Sequence, residues 1–75
     1  MTNEEKEAAV YLAVGSVLGV YPSMVTPHTQ LSAGRVSYER IRKIKDEVGR
    51  VLEVPFKPDA HIYWTEVGDI LRVVL

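Results

Sequence analysis

Residues 31–52 read LSAGRVSYERIRKIKDEVGRVL, and the way this stretch is read decides the fold. From Ser37 onward, Tyr38, Ile41, Ile44, Val48 and Val51 or Leu52 recur at three- and four-residue steps, with Arg40, Arg42, Lys43, Lys45, Asp46 and Arg50 between them. This is the period of an amphipathic α-helix with one packed face and one charged, wet face. Ser37 is a good N-cap, a role worth about 1 kcal/mol, so the pattern predicts a helix over residues 37–52.

Upstream, Thr2 and Asn3 are both good N-caps, and Glu5 lies three residues after Thr2, the spacing of a capping box. Val10, Ala13, Val14, Val17 and Leu18 form an apolar face, and Gly19 with Pro22 supplies a stop, so the first helix is expected over about residues 3–18. Between the two helices, residues 20–34 are rich in Pro, Ser, Thr and Gly and follow neither period. A loop this long is uncommon in a compact domain unless it is functional or packs its own side chains. Val25 and Leu31 are the expected inward anchors, with Ser23 or Thr26 capping a single turn.

Downstream, Val54-Pro55-Phe56-Lys57-Pro58 ends the second helix, because each proline lacks a donor and disfavours helix in the residue before it. Pro58-Asp59 can open a short helix through Ala60, Ile62 and Tyr63. A last helix is expected from Thr65 nearly to Leu75, with Val67, Ile70, Leu71 and Val74 at i, i+3, i+4 and i+7. No strand-like alternation and no repeat occurs. The expected fold is therefore all-α: a small antiparallel bundle of three main helices plus one short one, a long loop after the first, and one domain over residues 1–75.

Composition narrows the function. The chain has 75 residues, 47% hydrophobic and 25% charged, which suits one small folded domain and excludes a collagen-like or disordered chain. It has no cysteine, so disulfides, thiolate ligands and a cysteine nucleophile are excluded together. In residues 1–20 the acidic side chains precede an apolar run broken by glycine, unlike a secretory signal or a membrane span, and a cytoplasmic monomer is the expectation.

The net charge of −1 is unevenly spread. Residues 35–50 carry six basic residues against three acids, while the segments before and after are each acidic overall. Arg35, Arg40, Arg42, Lys43, Lys45 and Arg50 thus make a basic stripe on a mildly acidic body, a candidate surface for an acidic protein. Nucleic acid is not the expected partner, since the whole chain is slightly negative and the basic face of a helix is ordinarily a solvated one. His28 and His61 have no second ligand at metal spacing and read as surface or packed side chains. Phe56, Tyr63 and Trp64 read as core and rim of the bundle. No phosphate loop, supported Ser/His/Asp arrangement or carboxylate pair suggests an enzyme.

Leu18-Gly19-Val20, Pro22, Val25-Thr26-Pro27, Thr29 and Leu31 together resemble the end of helix 1 and the following loop of acyl carrier proteins. Thr65 to Leu71 is similar to the start of their last helix, and Leu52 to Asp59 to the run entering their short third helix. The resemblance implies a carrier rather than an enzyme: an acyl group held as a thioester on a 4′-phosphopantetheine arm, joined to a serine at the start of the second helix. Here that serine is Ser37. It further implies a phosphopantetheinyl transferase and acyl-handling enzymes as partners, in fatty-acid, specialised lipid, polyketide or related biosynthesis. The chain departs from the family at that site. Matching Ser37 shortens the loop by about two residues and needs one extra residue in helix 2. Val36 stands where the family has an acid, and helix 2 is basic where theirs is acidic. The alternative expectation is a carrier-fold module without the arm, binding an acidic protein through the basic face of helix 2.

Overall fold

The computed structural model describes residues 1–32 and 34–75; the expected loop over 20–34 thus includes one residue, Ala33, outside the described set. Helix α1 runs Asn3–Leu18, as its caps dictate. The Thr2 hydroxyl accepts from Glu5 N (3.1 Å) and the Glu5 carboxylate accepts from Thr2 N (3.0 Å), the reciprocal capping box. At the other end Gly19 takes the left-handed conformation (φ 74°), and the N–H groups of Gly19 and Val20 both donate to the Gly15 carbonyl, at 2.8 and 3.0 Å.

Helix α2 covers Tyr38–Leu52 behind Ser37, whose hydroxyl accepts from Arg40 N at 3.3 Å. Ile41, Ile44 and Val48 are buried, as the period requires. Grooves between α1 and α2 are lined by Met1 and Lys6 with Val51–Glu53 at one end, and by Ser16 and Val17 with Lys43 and Asp46 at the other. The two helices therefore run antiparallel. A 3₁₀ turn over Ala60–Tyr63 follows, and α3 spans Val67–Val74 with Val67, Ile70, Leu71 and Val74 all buried. The fold is a small helical bundle, and the described residues form no strand longer than the single bridge pair Gln30–Glu66.

That bridge explains how so long a loop is tolerated. After a 3₁₀ turn at Pro22–Met24, Val25 turns inward, the Thr26 hydroxyl caps the next turn by accepting from His28 N at 3.2 Å, and Leu31 is wholly buried. Leu31 N donates to Thr65 O (2.8 Å), Val67 N to Thr29 O (3.0 Å) and Gly68 N to Pro27 O (2.7 Å). Val67 and Gly68 open α3, so the loop supplies acceptors to helix N–H groups that have no partner within their own helix. Loop and helix start satisfy each other.

Four placements differ from the pattern-based expectation. Tyr38 is 58% exposed at the first position of α2, and Val36 is buried just ahead of it as the core anchor instead. Lys45, expected on the wet face, is buried: it stands between Ile41 and Val48 on the inner stripe, and its ammonium donates to Pro58 O at 2.9 Å. In the short turn Ile62 and Tyr63 are exposed, while His61 and Trp64 point inward. Finally, α3 starts two residues later than Thr65. The Asp69 carboxylate accepts from Thr65 N (2.8 Å), the Thr65 hydroxyl (3.0 Å) and Glu66 N (3.2 Å), which organises the chain before the helix begins.

Candidate functional site

Ser37 is exposed at the N-terminus of α2. Its place follows from the segment before it. The N–H groups of Arg35 and Val36 both donate to Ser32 O, at 2.8 and 3.0 Å, and Val36 is sunk into the core. That anchor fixes where the helix starts, and Val36 performs packing here. The Ser37 hydroxyl oxygen is used as an acceptor from Arg40 N, and its hydrogen makes no hydrogen bond among the described residues.

The expected basic stripe divides in two. Lys43 and Arg50 flank α1 together with Ser16 and Val17, and Arg40 lies one turn before Lys43 on the same edge. Arg42 faces the other way, into a cleft it lines with Tyr38, Glu39 and His61. Arg35, Arg40, Arg42 and Lys43 are exposed, and none has a carboxylate within 4.0 Å among the described residues. Arg50 is paired with Glu47, and Lys45 is turned inward with Asp46 at 3.6 Å, so these two stand apart from the open basic surface.

His61 carries the least satisfied polar atom of this region. It is 8% exposed, and its Nδ1 is buried with no hydrogen-bond partner among the described residues. Burial pushes its pKa below the ordinary value, and the positive charges of Lys45 and Arg42 push the same way, against weaker opposite effects from Asp46 and Asp59. The folded chain thus resists taking a proton that the unfolded chain accepts below about pH 6.5. Stability contributed by neutral His61 is full above that pH and is lost as pH falls towards the folded-state value. Urea unfolding at pH 7.5 and pH 5 should therefore differ more for wild type than for His61→Phe. Equal pH dependence in the two would assign the acid sensitivity elsewhere.

Trp64 packs edge-to-face on Phe56, with ring centroids 5.4 Å apart. His28 lies on the surface 3.5 Å from Glu66. No group of three or more His, Asp or Glu side chains among the described residues is placed to hold a metal ion, and no described helix is long and apolar enough to cross a membrane. A scan against protein-family models and searches of curated proteins and solved structures returned no match to this chain.

Proposed function

We propose that this chain is a divergent acyl-carrier-like protein, with Ser37 as the attachment point for 4′-phosphopantetheine. The observation that carries the reading is the state of the Ser37 hydroxyl: exposed, at the N-terminus of a 15-residue helix, with no acceptor for its hydrogen among the described residues. The group fits these residues. A phosphoester oxygen at Ser37 can still accept from Arg40 N, so esterification removes no hydrogen bond that the cap uses. The positive end of α2, with Arg35 and Arg40 close in sequence, suits the negative charge of a phosphodiester. When bound, the arm supplies a thiol that carries the acyl group as a thioester. The open cations Arg40, Arg42 and Lys43 favour partner enzymes with acidic docking surfaces.

Intact-mass measurement after co-expression with a broad-specificity phosphopantetheinyl transferase tests this. Wild type should gain the mass of one phosphopantetheine group, and Ser37→Asn, which preserves a good N-cap while removing the hydroxyl, should gain none. An unmodified wild-type mass sinks the reading. The arm-less module, which binds an acidic protein through the exposed cations Arg40, Arg42 and Lys43 of α2, is then the better account.

A further inference from the structure

Helices α2 and α3 each separate an apolar stripe from a polar face, but α1 does not. It contains no charged residue after Glu7, so the side turned away from the core presents Ala8, Leu12 and Ser16, with Leu12 61% exposed. A helix that is apolar on all sides is normally buried on all sides. The uncovered side runs along a groove against α2 lined by Ala9, Leu12, Ser16, Glu47 and Val51.

The ends of this seam carry opposite charge. At its first end the exposed Glu4, Glu5 and Glu53 outnumber Lys6. At the other end Lys43 borders Ser16 and Val17 with Arg40 one turn beyond; Asp46 beside them is 3.6 Å from the Lys45 ammonium, and neither Lys43 nor Arg40 has a carboxylate within 4.0 Å among the described residues. Glu5 precedes Leu12 by two helical turns, about 10 Å, and a similar distance past Leu12 leads beyond Ser16 to the basic end. A two-fold axis through Leu12 therefore exchanges acid for base.

We infer that the α1–α2 seam is a self-association surface. Two copies of this chain pack antiparallel across it, Leu12 against Leu12, with Glu4 and Glu5 of each copy facing Arg40 and Lys43 of the other. Such a contact is isologous and closes at two copies. A second copy is favoured over an unrelated partner because both halves of the charge pattern lie on this one surface. The patch is one helix long, which places the dimer among weak, reversible associations rather than permanent ones.

Sedimentation equilibrium at low salt, over roughly 10 µM to 1 mM chain, reads the association directly. The wild-type mass should rise from 8.4 kDa towards twice that value, and added salt should weaken the dimer by screening its end charges. Leu12→Glu and the milder Leu12→Gln should both stay monomeric with an unchanged helical circular-dichroism signal, because the side chain is exposed. Lys43→Glu should weaken association about tenfold or more. A wild-type chain that stays at 8.4 kDa throughout overturns the proposal, as does a dimer that survives both Leu12 substitutions or ignores salt.

Discussion

Replacing Leu31 by Ala should lower the free energy of unfolding by about 2–5 kcal/mol, the range for truncating a fully buried leucine. A domain of this length is stable by only roughly 4–11 kcal/mol, so the variant should be close to unfolding at ordinary temperature. Leu31 belongs to no helix, yet it has no exposed surface, and its N–H donates to Thr65 O in the bridge that holds the loop on the start of α3. Its side chain thus anchors the backbone contacts that satisfy the first N–H groups of α3. Urea unfolding followed through Trp64, the only tryptophan and itself buried, gives the midpoint. The neighbouring Gln30→Ala, at an exposed side chain, should leave that midpoint nearly unchanged. A Leu31→Ala midpoint equal to wild type would show that the loop is not part of the cooperative unit.

Gly15→Ala should destabilise the protein by about 1–3 kcal/mol, as an overpacked site does. Helix propensity alone argues the opposite, since alanine in a helix interior is favoured over glycine by about 1 kcal/mol. The reversal comes from the chain that leaves α1. A Cβ at Gly15 would lie 2.6 Å from the Val20 carbonyl oxygen and 3.3 Å from Pro22 N, both backbone atoms. Retreat is costly, because Val20 N and Gly19 N are tied to the Gly15 carbonyl. Thermal unfolding by circular dichroism should show a Tm several degrees lower, on the scale of about 4–8 °C per kcal/mol for a domain of this size. Ser16→Ala, exposed one residue on, controls for helix propensity. A raised Tm for Gly15→Ala would contradict the close approach.

Particular residues show where reading the chain succeeds. The Thr2–Glu5 box, the Gly19 stop, the Ser37 cap and the 41-44-48 and 67-70-71-74 stripes all act within a few residues of themselves, and each appears in the structure where its pattern put it. Val25 and Leu31 are the buried anchors expected of the loop, while Val20, Tyr21 and Met24 of the same segment stay exposed. Tyr38 and Lys45 were not legible. An apolar residue at a helix end is buried only if something lies above it, and a charged residue on an inner stripe can extend its ammonium to a backbone oxygen from another segment, here Pro58. The candidate site divides in the same way. Ser37 at a helix start could be found from local chemistry, while the burial of Val36, the splitting of the basic stripe and a buried His61 Nδ1 without a partner among the described residues could not.

The sequence by itself determined the helices, the ends of α1 and α2 and the all-α class, because caps, stops and the 3.6-residue period are local and need no partner. Tertiary structure alone decided that the loop between α1 and α2 is stapled to α3, that Lys45 turns inward while Arg40, Arg42 and Lys43 stay open, and that α1 keeps an uncovered apolar side. Each of these depends on which backbone groups and surfaces meet across distant parts of the chain, and hydrogen-bond satisfaction and burial are settled only when they meet.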